Sequence, residues 1–456
     1  MTILGLAEAM VAPLIRALCP DDADLDREAI AERFARAAWT AIAEPGDRDA
    51  GHVVAALGAE ASLGALTAVP WPPSDPNAID VASLEHALAR IGERDLDHDD
   101  LVDAVKRWRP RVAVPTVLLA LRQAARFGAG LLVPGDPDWP LGVDELGEHA
   151  PLALWARGDR TLLGRLERSV AIVGARAATG YGEHVTVEAS SGLVDRGFTI
   201  VSGAAYGIDG IAHRAALASS GSTVAFLAGG VDRFYPAGHE ALLTRIVERG
   251  VVVSEVPPGT APTRWRFLQR NRLIAAASRA TIVVEAGWRS GSLNTASHAA
   301  TLGRPVGAVP GPVTSAASAG CHKLLRETPA VCVTNADEMA ELVAGDPPLV
   351  AGDSPPVAGH PALMADDPPP AATEQPPSRR SAPISPAIDP TGTRVRVLDA
   401  LSDRSGRSVT RIGQLTGLAA DRVRAELGLL ELEGIVRELP AGWQKFTVKQ
   451  VEARRG

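Results

Sequence analysis

Residues 199–213, Thr-Ile-Val-Ser-Gly-Ala-Ala-Tyr-Gly-Ile-Asp-Gly-Ile-Ala-His, decide the fold. The run Thr199 to Ser202 suits a short buried strand, and Gly203 and Gly207 permit a tight turn. Ile208, Ile211, Ala212 and Ala215 then recur at helical spacing. The same texture repeats around it. Short runs at Val170 to Val173, Thr223 to Leu227, Val251 to Ser254, Thr281 to Glu285, Val306 to Val309 and Ala330 to Val333 each adjoin glycines and helical patterns. Strands alternating with helices predict a Rossmann-like α/β core, an open parallel sheet covered on both faces. Its ligands are expected outside the carboxyl ends of the strands.

Working outward, residues 126–344 form this core and residues 1–125 read as a small helical N-terminal domain, with helical periodicity at Arg27 to Ala43 and Ser83 to Arg90. In 345–390, 13 residues are Pro and none is aromatic, so this stretch reads as a disordered linker. Residues 391–456 offer helical patterns at Arg394 to Leu401, Val409 to Thr416 and Asp421 to Leu432. A hairpin follows, Gly434 to Val436 and Trp443 to Val448, turning at Pro440 to Gly442. Three helices and a hairpin predict a winged helix, with Arg422, Arg424 and Lys445 as its candidate contacts to DNA, or else a face for protein.

The net charge of -8 argues at first against a nucleic-acid partner, but the sign is not uniform. Residues 168–344 carry 16 Lys/Arg against 13 Asp/Glu, and residues 391–456 carry 12 against 8, inside an otherwise acidic chain. Three cysteines, with no Cys-x-x-Cys, exclude a complete disulfide framework and a structural zinc site. No apolar run is long enough to span a membrane and no signal peptide is evident. The expectation is a cytoplasmic protein with no metal and no cofactor.

The candidate chemistry gathers at the strand ends. In Val173-Gly174-Ala175-Arg176, an arginine stands where a dinucleotide fingerprint needs glycine, which excludes a dinucleotide oxidoreductase and suits an isolated phosphate at a helix N-terminus. The turn containing Ser202, Gly203, Ala205 and Gly207 supplies backbone amides, and Ser290, Gly291 and Ser292 supply a second cradle of small residues. Asp209 and His213 stand one helical turn apart, as an acid/base pair or, preferably, as helix-stabilising residues. In Arg270-Asn271-Arg272 the two arginines point to different sides of a helix, so at most one faces a given ligand. Trp265 and Phe267 offer π-faces on which bases could stack. Several cradles on one edge fit a polyanionic strand better than a single phosphate.

These motifs, together with Tyr181-Gly182, Tyr235-Pro236, Ser254-Glu255, Glu285, Ser290 to Leu293, Thr295-Ala296 and Pro310-Gly311, resemble the DNA-processing protein A (DprA/Smf) family over about residues 130–340. Departures from the family pattern are Leu268 for proline, and His239 and His322 for asparagine. The resemblance implies a non-enzymatic single-stranded DNA-binding protein that loads the RecA recombinase and works as a homodimer through its Rossmann-like domain. It further implies that Arg176 holds phosphates, with the Ser202 turn and the Arg270 to Arg272 run in the same pocket region. The competing class is a nucleotide phosphoribohydrolase of similar fold. Its Pro-Gly-Gly-x-Gly-Thr-x-x-Glu marker is replaced here by Ala286 to Gly291, though Glu285 with Asp209 and His213 would still be a hydrolytic candidate.

Overall fold

A computed structural model of the chain describes residues 2–3, 5–19, 25–69, 71–73, 79, 81–92, 96–344 and 392–446. The proline-rich stretch 345–390 lies outside the described residues, as do residues 447–456 at the end of the expected hairpin. A short hairpin, β1 (Thr2–Ile3) and β2 (Leu6–Ala7), precedes a helical layer. That layer comprises α1 (Glu8–Leu18), α2 (Arg27–Ile42), α3 (Arg48–Leu57), α4 (Ala59–Ala68), α5 (Ala82–Arg90), α6 (His98–Trp108) and α7 (Val114–Arg126). Asp26 and Asp47 start α2 and α3 by accepting the amides of Ala29 and Ala50. Trp39 and Trp108 meet edge to face at 5.1 Å in its interior.

The core strands are β3 (Ala129–Leu132), β4 (Leu154–Gly158), β5 (Ser169–Val173), β6 (Thr199–Ser202), β7 (Thr223–Leu227), β8 (Val251–Ser254), β9 (Ala280–Val283), β10 (Val306–Ala308) and β11 (Val331–Cys332). Among the described residues they form one nine-stranded sheet in the order β11-β10-β9-β5-β6-β7-β8-β4-β3. The runs expected from sequence are all strands, and from β5 to β11 they pair in parallel. The sheet departs from the expectation at one edge, where β4 runs antiparallel to β8 and β3 antiparallel to β4. Strand β5 lies at the switch point: successive crossovers place β6, β7 and β8 on one side of it, and β9, β10 and β11 on the other.

Helices cover both faces of the sheet, which is why its strands read as continuous apolar runs. They are α8 (Gly180–Asp195), α9 (Ile208–Ala218), α10 (Glu240–Arg249), α11 (Arg264–Ala277), α12 (Ser292–Thr301), α13 (Ala319–Glu327) and α14 (Ala336–Ala344). One face packs Val173, Phe226 and Val253 against Leu273 and Ile274 of α11, and the other packs Ile172 and Ile200 against Leu193 and Ala212. The N-terminal helices do not stand apart as an independent body. Phe34, Trp39 and Leu121 belong to the same apolar cluster as Trp155, Leu227 and Val252 of the sheet, and Arg33 pairs with Asp136 at 2.7 Å beyond β3.

The winged helix consists of α15 (Thr393–Ala400), α16 (Val409–Thr416), α17 (Ala420–Leu432), β12 (Val436–Leu439) and β13 (Gly442–Lys445). Its own core is built on Val397, Ile412, Val423, Leu427 and Val436. It rests on the junction of the helical layer with α11. Asp399 accepts the Arg264 amide at 2.6 Å, Arg396 stacks over Trp265 at 5.1 Å, and Gln414 Nε2 donates to the Pro110 carbonyl at 3.3 Å. Beneath this contact the buried Glu44 carboxylate accepts Arg266 at 2.7 Å and Arg111 at 3.0 Å. Burial opposes its ionisation, but these guanidiniums overcome that and hold its pKa at about 2.

Candidate nucleic-acid interface

At the switch point the turn after β5 meets the turn after β9. The Ala175 amide donates to the Glu285 carbonyl at 2.7 Å, and Ile208 at the start of α9 donates to the Ala175 carbonyl at 3.2 Å. A Cβ on Gly174 would stand 2.6 Å from Ile208 Cγ1 and 2.9 Å from the Glu285 carbonyl, so this glycine serves the crossing of three chain segments. Just beyond it, Arg176 is exposed.

The Arg176 guanidinium lies 5.0 Å from the centre of the Phe267 ring, and Arg270 lies 5.6 Å from the same ring. Tyr235 approaches Phe267 at 5.6 Å and is half exposed, and Tyr206, equally exposed, meets His239 edge-on at 4.8 Å. The strand ends therefore carry open aromatic faces beside an exposed guanidinium. Tyr206 and Tyr235 stand within the sequence motifs, but nothing in their spacing separates them from core aromatics; their exposure does. Trp265, read alongside Phe267 as a stacking face, points instead to the winged helix and Arg396.

Arg270 has a different place from the one its motif suggests. It is buried, and its Nη1 donates to the carbonyls of Gly203 at 2.6 Å and Phe226 at 2.7 Å. A Cβ on Gly203 would collide with this guanidinium. Burial pulls its pKa down to about 10, opposed by Asp209 and reinforced by Arg176, and it still carries its charge at neutral pH. Burial likewise raises the Asp209 pKa, countered by Arg270 and by the amides of Ala205, Gly203 and Gly174. Asp209 Oδ2 accepts the Gly203 amide at 3.2 Å.

Asp209 and Arg270 thus hold the second turn from inside. Ser202 is buried and donates to the Ile172 carbonyl at 2.6 Å, Ala205 is half-buried, and Gly207 takes φ +76°, open to glycine at little cost. His213 faces away from Asp209: its Nδ1 lies 2.7 Å from Thr223 Oγ1. Burial lowers its pKa to about 3, leaving a neutral imidazole. The two side chains form no acid/base pair, and α9 buries both.

The rest of the Arg270 to Arg272 run divides as its spacing predicts. Arg272 turns away to a bidentate pair with Glu255, 2.7 Å to each oxygen, and is 3% exposed. Asn271 donates to the Gly291 carbonyl at 3.2 Å and so ties α11 to the cradle of Ser290, Gly291 and Ser292. There Ser290 and Ser292 share a hydrogen bond of 2.8 Å, Gly291 is exposed, and Lys323 lies 5.4 Å from the exposed Trp288 ring.

Glu285, central to the hydrolase alternative, is 1% exposed, and both its oxygens are engaged. The Thr179 amide donates to one at 3.0 Å and the Thr179 hydroxyl to the other at 2.5 Å. Thr179 Oγ1 in turn accepts the Gly182 amide at 3.1 Å as the N-cap of α8. A Cβ on Gly182 would overlap the carboxylate. Of the departures noted in the sequence, His239 bonds the Ala204 carbonyl at 3.0 Å and His322 the Gly311 carbonyl at 3.0 Å, so both fit the turns they occupy. Leu268 is partly exposed on α11.

On the winged helix, Arg422 and Arg424 are exposed on α17 and Lys445 is half-buried on β13. Residues 420–432 carry these two arginines against Asp421, Glu426 and Glu431, so the helix is not basic. Among the described residues no group of His, Cys, Asp and Glu could hold a metal ion, and no helix is long and apolar enough to cross a membrane.

Comparison with known proteins places this geometry. A putative DNA processing protein DprA of Mycobacterium tuberculosis is 54% identical over 239 residues, which cover 49% of this chain and 61% of that protein. The chain thus matches somewhat less than two thirds of the length of that relative. The DNA processing protein DprA of Bacillus subtilis is 34% identical over 241 residues, covering 53% of this chain and 78% of that one. The X-ray structure of DNA processing protein A from Streptococcus pneumoniae aligns with a TM-score of 0.46 at 26% identity, covering 74% of this chain and 94% of that chain. Residues 130–344 match the family model of DNA recombination-mediator protein A, and residues 367–442 match that of the DprA winged helix domain. The Rossmann-like core with its arginine-bearing switch point, followed by a winged helix, is a member of the DNA recombination-mediator protein A (DprA/Smf) family.

Proposed function

We propose that this protein binds single-stranded DNA along the carboxyl edge of its sheet and acts there as a non-enzymatic recombination mediator. The observation that carries the reading is the placement of an exposed Arg176 guanidinium over Phe267, next to the open ring of Tyr235. A cation beside π-faces holds a phosphate and stacks unpaired bases without reading sequence, whereas a duplex hides its base faces. Arg176 is the residue assigned to phosphate. Arg270 adds buried positive charge behind it and fixes the turn, and Arg272, spent on Glu255, is assigned no contact. The amides of Gly174, Gly203 and Ala205 are taken up by Asp209 and are assigned no contact, while the turn of the exposed Gly291 lies along the same edge.

Loading of a RecA recombinase onto the bound strand, and a homodimer formed through the core, extend this reading as family membership suggests. A hydrolytic role finds no support, since Glu285 is committed to Thr179, the N-cap of α8, and Asp209 to the turn amides. The test is fluorescence anisotropy of a labelled oligo-dT strand and its duplex counterpart, titrated at several salt concentrations with the full chain and with residues 1–344. Salt-sensitive, strand-selective binding that survives the truncation is expected. Equal binding of strand and duplex, or binding lost with residues 345–456, would overturn the assignment to the core.

A further inference from the structure

Helix α17 buries Val423, Leu427 and Leu430 in the winged helix and turns a second apolar face to solvent. On that outer face Leu429 is 55% exposed and Leu432 is 87% exposed, with the exposed Ala425 at i and i+4 spacing and Gly428 between them. A Cβ on Gly428 would meet nothing within 4 Å. At 3.6 residues per turn, Arg424 and Glu431 lie along one flank of this stripe, and Arg422 and Glu433 along the other. Both arginines are near the N-terminal end and both glutamates near the C-terminal end.

That pattern is its own complement. We propose that α17 docks on α17 of a second copy of this chain, antiparallel, about a two-fold axis passing between residues 427 and 428. Such an axis sets Arg424 opposite the partner's Glu431 and Arg422 opposite the partner's Glu433. Leu429 packs over the partner's Ala425 and Gly428, whose small size lets the helices approach. Parallel pairing would instead set the arginines near one another and the glutamates likewise, so charge selects the antiparallel arrangement. Glu433 already bonds Arg394 at 2.8 Å and would be shared between two arginines. At the N-terminal end of the helix, Asp421 lies 3.9 Å from Lys106 of α6.

One helix face covers far less than the roughly 800 Å² per partner of a standard interface, so the contact is weak and forms when copies are concentrated or held together. The acidic balance of α17 and its apolar crest favour this occupant over a phosphate backbone.

The test is oxidative cross-linking of the full-length chain carrying Gly428→Cys in a Cys332→Ser background, since Cys19 and Cys321 are buried. The two-fold axis brings the introduced thiols of two copies within disulfide reach. A covalent dimer is expected at high protein concentration, formed several-fold faster than by Glu438→Cys on the exposed wing. Adding Arg424→Glu should slow it, and the double exchange Arg424→Glu with Glu431→Arg should restore it, which loss of folding would not do. Equal rates for the two thiols would overturn the proposal. Protection of the Gly428→Cys thiol from alkylation by duplex DNA, without cross-linking, would also overturn it and return the helix to nucleic acid. No DNA enters the cross-linking assay, so its result is independent of the strand-binding proposal.

Discussion

The Arg176 guanidinium stands 5.0 Å from the centre of the Phe267 ring, joining the turn after β5 to α11 across 91 residues of chain. Arg176 is exposed and its ring contact is that of a surface cation with a π-face, so Arg176→Ala should cost no more than about 1 kcal/mol of stability. Its affinity for oligo-dT should fall for all sequences alike, with the salt slope reduced by about one. Anisotropy titrations over a salt series read both quantities, and an unchanged slope would remove Arg176 from the phosphate path.

The exposed tyrosines provide a second, salt-independent component. Tyr235→Ala and Tyr206→Ala should each weaken strand binding by about 1–3 kcal/mol if a base stacks on the ring, with the salt slope preserved. Tyr→Phe at either position should retain most of the affinity, since stacking needs the ring and not the hydroxyl. A loss equal to that of alanine in the phenylalanine variants would point to hydrogen bonding instead.

Glu285 is expected to act through structure. Glu285→Gln leaves Thr179 with an amide donor facing one of its own donors, which should cost about 1–3 kcal/mol of stability. Thermal denaturation measures this directly. Strand affinity per folded molecule should persist, and free base should not be released from nucleoside monophosphates by parent or variant. Hydrolysis by the parent that vanishes in the variant would restore the enzyme alternative.

Acid should weaken the core through His213. Its folded pKa of about 3 lies below the ordinary 6.5, so from pH 6.5 down to about 3 the unfolded chain binds a proton that the folded chain does not. Stability is therefore full above 6.5 and falls through that window, by up to about 1.4 kcal/mol per pH unit for one proton. Glu44, with its folded pKa near 2, adds a loss that begins only below about 4.5. Melting temperatures between pH 7.5 and 5, above the range of Glu44, should decline in the parent and fall less steeply in His213→Asn.

Much of the architecture was legible because it is written locally. Runs such as Val170 to Val173 announce buried strands by composition, and the helices of the winged domain announce themselves by period and by the Gly417 turn. The edge strands β3 and β4 were not, since their apolar runs at 129–132 and 154–158 carry no mark of antiparallel pairing to β8. Nor did any local signal show that Phe34 and Trp39 share a core with Leu227 and Val252. A periodic pattern says that a face is buried but not against what.

The candidate site divides along the same line. By itself the sequence determined that glycine turns follow the strands, that Arg176 replaces a fingerprint glycine, and that Arg270 and Arg272 cannot serve one ligand together, because each follows from spacing along a few residues. Only the tertiary structure decided which groups are free. Arg270 is buried under Gly203 and Phe226, Arg272 is paired with Glu255, and Glu285 is spent on Thr179, 106 residues away. Meanwhile Tyr206, Tyr235 and Arg176 remain open. Whether a polar group is available to a ligand depends on what packs against it from distant parts of the chain, and that is settled when the sheet brings the strand ends together.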